Sequence, residues 1–200
     1  MTSEALILAF DTSAAHCAAA LLSGDRLLAD RREDMTRGQA ERLIPLLEEI
    51  LSEGGASWRD LTALGVGIGP GNFTGIRIAV SAARGLALAL NIPAVGVSGC
   101  QARAWLDPDR VPAIPAPRDQ VYLCDPGDLR AAPRLLPRSE AASIARHALL
   151  TDPSPPGLAE AIARIAAANW RDTTVPPAPL YARAADAAPS RDTPPALLDG

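Results

Sequence analysis

The chain has 200 residues, one domain or two small ones at the usual roughly 100 to 200 residues each, and its 48% hydrophobic and 21% charged shares exclude disorder as the whole answer. All 19 basic residues are arginine, so no Walker A loop, Schiff-base nucleophile, pyridoxal attachment point or lysine base is available. A net charge of -4 with a pI near 5.2 leaves no broad cationic surface, which points to protein or small-molecule partners rather than nucleic acid bound alone.

Three strand-like segments open the chain at 6–11, 16–22 and 26–32, and their short connections imply an antiparallel meander. Residues 39–53 are helical: at 100° per residue, Ala40, Leu43, Ile44, Leu46, Leu47, Ile50 and Leu51 fall within an arc of roughly 160°. Pro45 either begins the regular helix or kinks it, and Gly54-Gly55 ends it. Ser57 then caps a turn over 58–61. A strand at 63–68, a loop Gly69 to Gly75, a helix at 76–90 and a strand at 94–97 make a β-α-β unit with a parallel crossover. The second helix is apolar nearly all round and rich in alanine and glycine, so it is expected to be buried and to let neighbours approach closely.

Near Gly99 the composition changes. Prolines number three in residues 1–100 and 16 afterwards, while glycines fall from 12 to three. The expected organisation is therefore a regular first unit over 1–100, a smaller second unit over 101–175 and a Pro/Ala-rich tail over 176–200. Strands are expected at 111–114 and 120–124, and helices at 139–150 and 157–169. Cys17, Cys100 and Cys124 form no C-x-x-C and no disulfide framework, which fits a reducing cytoplasm. The apolar run ending at Asp11 is too short for a signal peptide, and no run approaches the roughly 18 apolar residues of a membrane helix.

Gly69, Gly71 and Gly75, joined by Asn72 and Thr74, place backbone N–H groups at the start of a helix, which suits an anion or a tight structural turn. Asp11-Thr12-Ser13 sets a carboxylate and hydroxyls at a strand end, as phosphate- or magnesium-handling loops do, and equally suits a turn. Ser98 lacks the second glycine of a nucleophile elbow, and His16 and His147 read as packing or surface residues. No metal or cofactor is called for.

Several stretches together resemble the TsaB (YeaZ) family, the bacterial subunit of the machinery that makes threonylcarbamoyladenosine beside the anticodon. They are Ile7-Leu8-Ala9-Phe10-Asp11-Thr12-Ser13, Arg37-Gly38-Gln39-Ala40-Glu41-Arg42-Leu43-Ile44-Pro45 and Gly69-Pro70-Gly71-Asn72-Phe73-Thr74-Gly75-Ile76-Arg77. Ala82-Ala83-Arg84-Gly85-Leu86-Ala87, Gly96-Val97-Ser98, Arg118-Asp119-Gln120-Val121-Tyr122 and the tail from Tyr181 to Asp186 add to them. The resemblance implies an α/β fold of the actin-like ATPase type (the sugar kinase and Hsp70 superfamily) with a reduced second subdomain. It also implies a non-catalytic cytoplasmic subunit that pairs with TsaD, works with the ATPase TsaE and meets tRNA only through the complex. A homodimer of the isolated chain is admitted as well as a monomer.

The pairing implied by the resemblance uses the two first-half helices. Candidate contacts are Leu43, Leu46, Leu47 and Ile50 from one, and Arg77, Val80, Ala83, Arg84 and Ala87 from the other. Two positions depart from the family pattern: Gln39 where histidine is common, and Pro115-Ala116-Pro117 where Asp-Ala-Arg is frequent. The alternative of a different class is a small ATPase or phosphotransferase of the same superfamily, with Asp11 and Thr12 at phosphate and residues 69–75 as its nucleotide loop.

Overall fold

The computed structural model describes residues 4–182. β1 (Leu6–Asp11), β2 (His16–Ser23) and β3 (Arg26–Asp34) form the antiparallel meander. β4 (Ala63–Gly67) and β5 (Ala94–Val97) add to it in parallel, giving the order β3-β2-β1-β4-β5. A parallel pair needs a crossover, which α2 (Phe73–Leu90) supplies. α1 (Gln39–Glu53) lies beside α2 on the same face of the sheet. Arg42 bridges α1 to β3 by binding Glu33 and Glu49 together, each at 2.6 Å.

Every residue of β1 is buried because both of its faces are covered. Leu6, Leu8 and Phe10 pack with α1 and α2, whereas Ile7 and Ala9 pack with α5 (Leu158–Asn169). Each large side chain so enclosed contributes about 1.5–3 kcal/mol. The α5 face is built from small residues, among them Ala161, Ala163 and Ala166, and a Cβ on Gly65 would stand 3.0 Å from the Ala166 methyl. Sequence position and spatial membership therefore part at α5. It lies within 101–175 but closes the core of the first sheet, so the second unit does not contain all of that span.

α3 (Gly99–Leu106) was not expected, although its signal, S-x-x-Q, stands at 98–101. Ser98 Oγ accepts from the Gln101 N–H at 3.1 Å and Gln101 Oε1 from the Ser98 N–H at 3.0 Å, so Ser98 is a helix cap. The second sheet has the order β8-β7-β6-β9, with β6 (Val111–Ala116), β7 (Gln120–Leu123), β8 (Arg134–Pro137) and β9 (Leu149–Leu150). The helix expected at 139–150 is corrected to α4 (Arg138–Ile144), after which the chain turns extended and β9 covers the start of β6. Pro115 pairs with Val121 in β6, beyond the two residues that β9 reaches, so its missing N–H faces no strand. The β6–β7 hairpin closes despite the departure at 115–117, through Arg118 and Asp119 at positive φ.

Two sequence expectations need correction. α2 is, by length and composition, long and apolar enough to cross a membrane, although Ile76, Ala79, Val80 and Ala83 are buried on the sheet and Arg77 and Arg84 stand on the outer side. A core helix of a soluble protein meets the same criterion. Cys100 and Cys124 are joined in a disulfide, Sγ to Sγ 2.05 Å, that ties the start of α3 to the end of β7 across a separation of 24 residues. Such a loop closure is worth about 3 kcal/mol in the chain-entropy account. Cys17 is buried, and burial first, then Glu33, pushes its thiol up to about 12. Thiol titration should therefore find no reactive cysteine in the native chain and one in the denatured, unreduced chain. Three thiols in the unreduced denatured chain would show that the bridge does not form.

Candidate functional site

The end of β1 and the loop before α2 are pressed together. A Cβ on Gly67 would stand 1.7 Å from Asp11 Oδ2, one on Gly71 2.3 Å from the Ser13 carbonyl oxygen, and one on Gly75 1.9 Å from that of Thr12. Glycine is required there by contact with backbone and carboxylate. Asn72 caps α2 by accepting from the Gly75 N–H at 2.8 Å, and its own N–H donates to the Ser13 carbonyl at 2.7 Å. Thr12 Oγ1 donates to the Gly75 carbonyl at 2.7 Å. Asp11, Thr12 and Ser13 thus lie against Gly67, Gly71, Asn72 and Gly75, while the Gly69 carbonyl accepts from the Gly99 N–H at 2.8 Å. Several of their polar groups bind one another. Thr74 is exposed on the first turn of α2.

Asp11 anchors a buried polar chain that the sequence did not reveal. His16 Nε2 lies 2.7 Å from Asp11 Oδ1, and His16 Nδ1 lies 2.6 Å from Ser154 Oγ. Ser13 donates to the same carboxylate from its N–H and its hydroxyl, both at 2.9 Å. Burial acts to raise the Asp11 pKa, but the hydrogen bond and charge of His16, with the bonds from Ser13, outweigh it and hold the carboxyl below its usual range. The order Asp-His-Ser matches that of a serine-activating relay. Here the imidazole is fully buried, the Ser154 N–H donates to Asp152 Oδ1 at 2.8 Å and its carbonyl accepts from Arg32. The arrangement ties the β1–β2 corner to the loop before α5. No spacing rule links residues 16 and 154, so sequence alone carries no signal for it.

Arg103 of α3 is buried nearby. Its Nη2 donates to the carbonyls of Asp152 and Pro153 at 3.0 and 3.1 Å, and Nε has no partner among the described residues. Burial lowers its pKa to about 10, against the attraction of Asp11 and Asp152, so it stays charged at neutral pH. No group of three or more His, Cys, Asp or Glu suited to a metal occurs among the described residues.

On the helical face, the structure separates the candidate contacts into two sets. Leu43, Leu46, Leu47, Ile50, Val80 and Ala83 are buried in the chain's own core, which corrects their reading as partner contacts. Most of the apolar arc of α1, from Leu43 to Leu51, is filled by the sheet and by α2, while Ala40 and Ile44 stay exposed. Arg77 and Arg84 are exposed and Ala87 is half-buried. Three apolar residues not named as contacts are also exposed, Ile44 on α1 and Phe73 and Leu88 on α2, the last 86% exposed. Tyr181 meets Arg77, whereas the motif residues from Arg183 to Asp186 lie outside the described residues.

A family model described as TsaD: tRNA N6-adenosine threonylcarbamoyltransferase matches residues 33–186. The tRNA threonylcarbamoyladenosine biosynthesis protein TsaB of Escherichia coli (strain K12) is 41% identical over 92 residues, 46% of this chain and 39% of that protein. The match thus spans about two fifths of that relative's length. Uncharacterized protein Rv3421c of Mycobacterium tuberculosis is 33% identical over 205 residues, covering 92% of this chain and 94% of its own. Among solved structures, an uncharacterized protein with similarity to peptidase YEAZ from Pseudomonas aeruginosa superposes with a TM-score of 0.72 at 28% identity, over 90% of this chain and 100% of that one.

Proposed function

The chain belongs to the TsaB (YeaZ) family, with an α/β fold of the actin-like ATPase type, and from that premise we propose that it is a non-catalytic scaffold and activator subunit in the making of threonylcarbamoyladenosine in tRNA. It pairs with a TsaD-like transferase, works beside a TsaE-like ATPase and meets tRNA through the complex.

One observation carries the non-catalytic part. The alternative, phosphate-handling reading needs Asp11 and Thr12 open to a ligand. Here Asp11 is engaged by His16 and Ser13, and Thr12 by the Gly75 carbonyl, with both residues at most 2% exposed. Reconstitution tests the reading: the purified chain added to its own organism's transferase, ATPase and threonylcarbamoyl-adenylate synthase should restore modified adenosine in tRNA, measured by mass spectrometry. The isolated chain should hydrolyse no ATP. Turnover that survives purification and disappears in Asp11→Ala would instead make it an ATPase.

A further inference from the structure

The second sheet carries a cavity of its own, about 540 Å³ in volume, at the end where β9 covers the start of β6. Val111 of β6 and Leu123 of β7, both buried, share its lining with Ile144 at the end of α4, which is 47% exposed. Arg134, Arg146 and His147 line it as well, and all three are exposed. Ligand pockets hold roughly 300–1,000 Å³ within apolar walls and carry a few polar groups that orient the occupant. This cavity has those attributes.

Its two sides are held independently. On one, the Ala145 N–H donates to the Ala141 carbonyl and the Val111 N–H to the Ala148 carbonyl, each at 2.9 Å, so the link between α4 and β9 is fixed at both ends with Arg146 and His147 between them. On the other, the Cys100–Cys124 bridge holds the end of β7. The loop that follows turns through the Asp128 N–H on the Asp125 carbonyl and the Ala131 N–H on the Asp128 carbonyl, both at 3.1 Å. Walls of fastened backbone stand before a ligand arrives, so little ordering opposes binding.

The charged groups decide the class of ligand. The side chains of Arg134, Arg146 and His147 have no hydrogen bond or ion pair among the described residues, whereas Arg42, Arg103, Arg110 and Arg138 each bind an acceptor of the chain itself. Asp125, the acidic residue of the lining, turns Oδ1 to the Gly127 N–H at 2.9 Å. A free guanidinium fork beside an apolar wall matches a carboxylate that carries a hydrocarbon body. We infer that the cavity binds a small aliphatic carboxylate, with its chain against Val111, Leu123 and Ile144 and its carboxylate at Arg134 and Arg146. A bare inorganic anion would leave the apolar wall uncovered, and an amine would meet two arginines. The inference is independent of the pairing proposed above, since none of these residues lies on α1 or α2.

The test titrates the full chain, methyl-labelled at isoleucine, leucine and valine, with hexanoate, hexan-1-ol, hexylammonium and inorganic phosphate, followed by NMR. Hexanoate is expected to bind saturably with a Kd of about 1 mM or below, moving the methyl signals of Val111, Leu123 and Ile144 and leaving those of Leu46 and Ile50 in place. Arg146→Gln should weaken hexanoate about tenfold, and Arg134→Gln should weaken it several-fold. Neither variant should alter the weaker binding of hexanol. Both side chains are exposed and unpaired, so melting temperatures should not move. No shift of the three signals at about 10 mM hexanoate, or wild-type affinity in both arginine variants, would overturn the inference. Hexanol or hexylammonium bound as tightly as hexanoate would reduce the site to an apolar crevice, and phosphate bound as tightly would reduce it to a cationic patch. Either result defeats the proposal.

Discussion

Replacing Gly75 by alanine is expected to destabilise the chain by about 3 kcal/mol or more, a large part of the roughly 5–15 kcal/mol that a domain of this kind has. The new Cβ would stand 1.9 Å from the Thr12 carbonyl oxygen, and the obstacle is backbone rather than the end of a flexible side chain. Either the β1–β2 corner or the first turn of α2 must move. Movement of either separates Thr12 Oγ1 from the Gly75 carbonyl and exposes the Asn72 cap to loss, each worth about 1 kcal/mol. Gly85, ten residues on in the same helix, meets nothing within 4 Å. Gly85→Ala should therefore stabilise, by about 0.5–1 kcal/mol of helix propensity. Urea unfolding of the two variants reads opposite signs from one chemical change. Equal midpoints would mean that the loop is not clamped against β1.

Local periodicity carried most of the first sheet. The meander, α1 and the β4-α2-β5 crossover each lie within a window of continuous sequence, where alternation or a 3.6-residue repeat is complete before any distant contact is needed. α3 is only eight residues long, so its sequence signal is confined to the cap at Ser98 and Gln101, at the point where the composition changes. α4 and β9 merged into one expected helix because a two-residue strand has no period to read. The disulfide and the Asp11–His16–Ser154 chain join residues that no local rule relates.

At the candidate site the difficulty is of another kind. The width of the apolar arc on α1 is a property of the sequence, but which neighbour fills it is a property of the fold. Leu43, Leu46, Leu47 and Ile50 have the composition of an interface and the burial of a core. The residues left exposed, Phe73, Arg77, Arg84 and Leu88, sit on the side of α2 that holds its strip of polar residues.

That distinction makes Ala83 the most informative single position for stability. It is fully buried between α2 and the sheet, in the same cluster as Val66 and Ile76. Ala83→Arg would place a long side chain and an unpaired charge in that cluster, at a cost of several kcal/mol on top of overpacking. The expected result is a chain that does not fold, seen as loss of soluble protein or of the cooperative thermal transition by circular dichroism. Leu88→Arg adds the same group five residues on, at a position 86% exposed. Its melting temperature should match the wild type, and any loss of transferase binding then reports on the surface alone. A folded Ala83→Arg variant that had lost only its partner would put the face of α2 the other way round, with Ala83 outward. The arginines and Tyr181 fix the outward side independently, because a guanidinium stacked on an exposed Phe73 cannot also lie against the sheet.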